Sequence, residues 1–300
     1  MVLFFGGALK RAVIFIVAAL VACQRSETNN AQQRSVAELG ALTISSKIAG
    51  IRIVPTSKLP RNPNPRTIDE YCSMVGYGVD HPTSLGGRMA TKNGWIVTSE
   101  TKLGDYDAVT FVGGLDAGTS AVCFPKNGNL GIFDGSRLRA IAYSPSDPVL
   151  AVAEQVDRQR IRLNTDTPTA PFADVVLRDG IVVEPTAKED QVCRGGAVVP
   201  NIYGQDIKKA RMKLAAYGWR PQRPSEPLNG GLDQELKAQG VIEVESCAGT
   251  GWGPCRFQYV HLKGFALNVI SRGEEIANVI SYAADCRPEE VRRRSPANVL

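Results

Sequence analysis

The chain has 300 residues, 43% hydrophobic and 22% charged, a globular composition that excludes collagen-like, coiled-coil and wholly disordered chains. Its 29 Gly and 18 Pro argue against a helical bundle and for short strands joined by turns. The net charge of +5 comes without a basic stripe interleaved with aromatics, so nucleic acid is not an expected partner; it reads as a solubilising surface charge.

Lys10 and Arg11 precede the apolar run Ala12–Ala22, which is followed by Cys23 and the polar stretch QRSETNNAQQR. A charge, an apolar run too short to span a bilayer comfortably and then small residues form the pattern of a signal peptide over residues 1–22. The apolar residues ahead of Lys10 either lengthen the insertion signal or precede the true start. Ordinary cleavage after Ala22 would put Leu20 at a position that favours a small residue. Leu20-Val21-Ala22-Cys23 instead resembles the lipobox of bacterial lipoproteins. That resemblance implies a diacylglyceryl group on the Cys23 thiol, cleavage just before it, acylation of the new amine, and a membrane partner reached through the lipid. Plain secretion and an uncleaved anchor are the alternatives. Several acyl chains, at about 0.8 kcal/mol per buried methylene, give stable anchoring. Gln24 follows the cysteine rather than Asp, which places the expected protein at the outer membrane, facing the periplasm, if the source has two membranes.

Cys23 and the polar residues to 34 then form a lipidated, flexible tether. Residues 35–185 read as an all-β domain, a meander, sandwich or small barrel. Alternation or β-branching marks strands around Ile51–Val54, Trp95–Thr98, Ala108–Val112 and Leu138–Tyr143. Lys92-Asn93-Gly94 reads as a hairpin turn. Ala151–Ile161 reads as a short helix. Val175–Leu177 and Ile181–Val183 flank Arg178-Asp179-Gly180, a two-strand signature.

The stretch 184–196 marks the main boundary, and residues 186–287 read as a small α+β domain, a helix packed on an antiparallel sheet. Ile207, Ala210, Leu214 and Tyr217 share one helical face, with Asp206 as the start and Gly218 as the stop. Lys208, Lys209, Arg211 and Lys213 form its outward basic face and are candidate contacts. Strands are expected at Val241–Val244, Phe257–His261, Phe265–Val269 and Ile276–Tyr282. Residues 288–300 form a basic tail. Pro200, Gly204, Ala210, Leu214 and Gly218 are spaced in a way that resembles the opening of a PASTA domain. That family has a helix packed on a three-stranded sheet, and some members bind peptidoglycan fragments. The long Pro/Gly linker Pro221–Gly231 and the cysteines depart from the family pattern.

There are seven cysteines. Lipidation of Cys23 would explain the odd one, leaving six for three disulfides in an oxidising compartment. Cys72 and Cys123 are alone in the first domain and pair by elimination. Cys247 and Cys255 bracket a short loop, and Cys193 and Cys286 bracket the whole second domain. Trp252, inside the short loop, is a candidate contact.

The sequence carries no recognisable catalytic residue, cofactor motif or metal-ligand set. The two histidines, His81 and His261, lack any metal-ligand spacing. Gly118-Thr119-Ser120 is not a nucleophile elbow, and Asp105, Asp107, Asp116 and Asp134 match no EF-hand ladder. The expected role is non-catalytic: binding or scaffolding in the bacterial cell envelope, toward peptidoglycan or an envelope protein. The alternative is a secreted or periplasmic protein acting as an inhibitor or as a hydrolase with a site not visible in the sequence.

Overall fold

The computed structural model describes residues 43–287 except 64–66, 75–77, 79–80, 119–122, 146–148, 166–170, 225–229, 249–252 and 274–276. The leader 1–22, Cys23 with its tether, Trp252 and the tail 288–300 lie outside the described residues. The described residues from Ile44 onward group as one compact unit.

The chain is rich in β-structure, as its turn-dense composition requires. β1 (Thr43–Ser46), β2 (Arg52–Pro55) and β3 (Thr67–Ile68) precede the short helix α1 (Glu70–Met74) and α2 (Leu85–Lys92). Six strands follow: β4 (Ile96–Leu103), β5 (Tyr106–Val112), β6 (Gly114–Ala117), β7 (Cys123–Lys126), β8 (Asn129–Asp134) and β9 (Arg137–Tyr143). Then come β10 (Val152–Asp157), β11 (Arg160–Asn164), β12 (Ala173–Leu177) and β13 (Gly180–Pro185). They build one five-stranded sheet in the order β2-β9-β8-β5-β4, a second in the order β1-β13-β12-β11-β10, and a small sheet β3-β6-β7.

The central strands β5 and β8 of the first of these sheets are buried on both faces, which is why they read as nearly continuous apolar runs. Trp95, Val109, Phe111, Phe133 and Leu138 pack with Ala90 of α2 on one side. Ala108, Leu130, Ile132, Ala140 and Ala142 alternate to the other side and are fully buried. The edge of β4 meets β10 through hydroxyls. Ser99 accepts the Ala153 N–H at 2.9 Å, and its oxygen lies 2.6 Å from that of Thr110.

Two local expectations are corrected. Lys92-Asn93-Gly94 ends a helix rather than turning a hairpin: the Asn93 N–H donates to the Ala90 and Met89 carbonyls, and Gly94 takes φ +83°. Helix ends and tight hairpins both call for a left-handed glycine, so the dipeptide fits either. Ala151–Ile161 is not a helix but the hairpin β10–β11, with Gln155 opposite Ile161. Its inward residues Ile161 and Leu163 are two apart, the strand period.

The remaining elements are β14 (Glu189–Val192), β15 (Ala197–Pro200), α3 (Ile207–Ala216), β16 (Trp219–Pro221) and α4 (Leu232–Ala238). They are followed by β17 (Val244–Cys247), β18 (Cys255–His261), β19 (Ala266–Arg272) and β20 (Asn278–Asp285). The sheet runs β16-β18-β19-β20, with β17 also on β18. The Asp206 side chain accepts the N–H groups of Lys208 and Lys209 and so starts α3. Gly218 leaves the helix at φ +83°. Ile207, Ala210 and Leu214 bury against Trp219, Phe257 and Tyr259, whereas Tyr217, expected on the same face, caps the helix end and is exposed, because the helix stops at Ala216. Val241 belongs to the turn after α4, not to a strand; β17 begins at Val244.

Disulfides join Cys72 to Cys123, Cys193 to Cys286 and Cys247 to Cys255, the pairs that chain order suggested.

Candidate functional site

The four basic residues of α3 do not form one free surface. Lys208 and Lys209 are exposed, and the Lys208 Nζ donates to Gln239 Oε1 at 3.1 Å. Arg211 turns inward to Glu243, whose side chain is fully buried; its Nε donates to Glu243 Oε1 at 2.7 Å, and Nη2 makes a second bond to Oε2. Tyr259 donates its hydroxyl to the same carboxylate at 2.8 Å, and Arg211 Nη1 also donates to the Gly240 carbonyl at 3.0 Å. Burial works against the Arg211 charge, but Glu243 outweighs it and holds the guanidinium above its ordinary range. Lys213 donates to the Asn201 carbonyl at 2.6 Å. Arg211 and Lys213 therefore fasten α3 to its neighbours, Lys208 reaches Gln239 from an exposed position, and Lys209 is exposed.

A second polar cluster escaped the reading of the sequence. Arg160 and Arg162 lie on the face of β11 opposite Ile161 and Leu163. Arg162 is in register with Asp174 of β12 and with Glu154 of β10. Its guanidinium donates to both oxygens of Asp174, at 2.8 and 3.0 Å, and to both oxygens of Asp190, at 2.7 and 2.9 Å. Arg160 approaches Asp190 at 3.1 Å. Asp174 also accepts the Ala187 N–H at 3.0 Å, and Tyr282 of β20 donates to Asp190 at 2.9 Å. Tyr203 stacks on Tyr282 with ring centroids 4.3 Å apart, and Arg162 lies over the Tyr203 ring.

Two guanidinium groups thus face two buried carboxylates, and the lone pairs of those carboxylates meet strong donors. Burial opposes the charge of Arg162, yet Asp174 and Asp190 hold it well above its usual range. Burial likewise works against the Asp190 carboxylate, and Arg162, Tyr282 and Arg160 outweigh it, holding Asp190 below the usual carboxylate range. Burial raises the hydroxyls of Tyr203 and Tyr282, so both remain donors. The cluster ties β11 and β12 to β14, β20 and the segment before α3. Chemically it is a clasp between elements; beside it Glu154, opposite Arg162, is pushed above its ordinary range by burial, against the pull of Arg162. Two arginines alternating with Ile161 and Leu163 on one strand, RIRLN at 160–164, are the available signal.

His81 is exposed. His261 contacts the Tyr217 carbonyl at 3.2 Å and packs beside Trp219, with ring centroids 4.9 Å apart. Asp105, Asp107, Asp116 and Asp134 each pair with a surface cation on the strands or turns near them. Among the described residues, no group of three or more His, Cys, Asp or Glu is placed to hold a metal, and no helix is long and apolar enough to cross a membrane. Compared with protein families, curated proteins and solved structures, the chain gives no match.

Proposed function

We propose that the chain is a lipid-anchored protein of the bacterial cell envelope with a non-catalytic binding or scaffolding role. In this reading residues 1–22 are removed and Cys23 carries the lipid. A β-rich domain, 35–185, which carries α1 and α2 rather than being all-β as the sequence suggests, and a PASTA-like α+β domain, 186–287, are held in the periplasm at the outer membrane. The observation that carries the reading is the closure of three disulfides by the six cysteines that follow Cys23. Such bonds persist in oxidising compartments, and their closure leaves Cys23 as the one cysteine of the seven not consumed.

The proposed contact residues are Lys208 and Lys209 of α3 and, from the sequence, Trp252, which stands between Cys247 and Cys255 in the chain. An anionic, saccharide-bearing polymer such as peptidoglycan offers charge to the lysines and a sugar face to the indole; an acidic envelope protein offers the charge alone. The test is co-sedimentation of the mature protein with purified peptidoglycan, beside cross-linking in cells. Sedimentation that falls severalfold in the double variant Lys208→Glu, Lys209→Glu supports the surface. No sedimentation at low salt, together with no cross-linked envelope partner, overturns it.

A further inference from the structure

The turn between β18 and β19 presents an apolar side chain that the core does not use. Leu262 is 67% exposed at its tip. The turn is closed by Gly264 N–H donating to the His261 carbonyl at 2.8 Å, and Leu262 N–H donates to the Gly218 carbonyl at 3.1 Å, just beyond α3. Beside it, Tyr217 shows 37% of its surface and donates its hydroxyl to Glu189 at 3.2 Å. Lys263 follows Leu262 directly and is exposed.

Phe265, at the foot of the turn, lies so close to Gly196 that a Cβ there would sit 2.9 Å from its ring. That contact brings the β14–β15 turn, with exposed Arg194, to the same end of the sheet. Among the described residues neither Lys263 nor Arg194 has an ion-pair partner.

A hairpin tip is convex, so it enters a partner rather than receiving one. A leucine at the apex, a tyrosine set back from it and two unpaired cations on the flanks match the layers of an anionic bilayer surface: acyl boundary, headgroup level and phosphate. We propose that the 261–265 turn, with Tyr217 and Arg194, docks onto anionic phospholipid of the membrane that anchors the chain, so that the folded body lies on the bilayer. The proposal rests on the lipid-anchored reading, and the exposed leucine at the apex between Lys263 and Arg194 favours a surface that offers an apolar layer beneath its negative charge over an acidic protein.

The experiment uses the mature lipidated chain carrying Leu262→Cys, or Lys263→Cys should the first variant misfold, labelled with a nitroxide and reconstituted in vesicles. With phosphatidylglycerol in the vesicles, dissolved oxygen relaxes the label more than a water-soluble nickel chelate does. In pure phosphatidylcholine the order reverses. Arg194→Glu and Lys263→Glu (the latter with the label at residue 262) each lower the docked population about fivefold or more, from the roughly 1 kcal/mol that a basic residue contributes near an anionic surface. A control label at Gly135, an exposed turn, stays in water in both lipids. A label at 262 that stays in water in both lipids overturns the proposal, as does one immobilised only by cross-linking to a protein. Intact mass taken first separates the two readings: absence of acyl chains refutes the anchor, and the labelled turn is then tested on added phosphatidylglycerol vesicles.

Discussion

Replacing Arg162 with Leu removes the positive centre of the clasp and keeps much of its volume. Arg162 is 4% exposed, and Asp174 and Asp190 are 1% and 3% exposed, so water cannot replace the lost charge. Four hydrogen bonds to carboxylate oxygens vanish at once. Breaking a buried pair by removing one partner costs about 3–5 kcal/mol, because the charge left behind is uncompensated. For a body of this size that is a fall of roughly 6–20 °C in the melting temperature.

The pH dependence gives an independent reading. In the wild type Asp190 is held low, so its contribution is present above the unfolded carboxylate value of about 3.9 and is lost as pH falls through the lower folded value. In the variant Arg160 still faces Asp190 at 3.1 Å, but the burial that works against the charge is opposed by one guanidinium instead of two. Its folded value then rises, and acidification relieves the deficit. Urea unfolding at pH 7 and pH 5 should show a gap between the two proteins that narrows at the lower pH. A variant within about 1 kcal/mol of wild type at pH 7, with no change in the gap at pH 5, refutes the clasp as described.

Arg211→Met leaves the fully buried Glu243 with the Tyr259 hydroxyl as a remaining donor, and should cost about 3–5 kcal/mol in urea unfolding, whereas Lys209→Met, on the exposed face, should change stability by under about 0.5 kcal/mol. The disulfides close loops of very different length, with separations of 93 and 8 residues. Ser replacement of Cys193 and Cys286 should therefore cost about 4–5 kcal/mol, against about 2–3 for Cys247 and Cys255, and equal melting temperatures would contradict the chain-entropy reasoning. Gly128→Ala would place a Cβ 2.2 Å from the Leu150 carbonyl oxygen and 2.6 Å from Val149 Cγ1. Backbone must move, so calorimetry should show a loss of about 1–3 kcal/mol or more.

Local chemistry made much of the second half legible. Asp206, the 207-210-214 spacing and Gly218 carry the start, face and end of α3 within a dozen residues, and each acts through contacts close along the chain. The Arg178-Asp179 turn between β12 and β13 was legible for the same reason. Asn93-Gly94 and Ala151–Ile161 were misread because two structures share one local signal, and the choice between them is made by distant partners such as β5 and β12. The polar clusters were hidden for a further reason. Arg162 meets Asp190 across 28 residues and Arg211 meets Glu243 across 32, so nothing in either local window tells a clasp from a solvated surface pair. The basic face of α3 shows the consequence: helical periodicity placed its four cations outward, and tertiary partners then engaged Arg211 and Lys213.

The most direct test of export and anchoring is intact-mass analysis of the protein extracted from membranes of its own host. The account predicts a chain that begins at residue 23, carries acyl chains there, and has its six other cysteines oxidised. A chain that still contains residues 1–22, or one whose thiols are reduced and which carries no lipid, contradicts it.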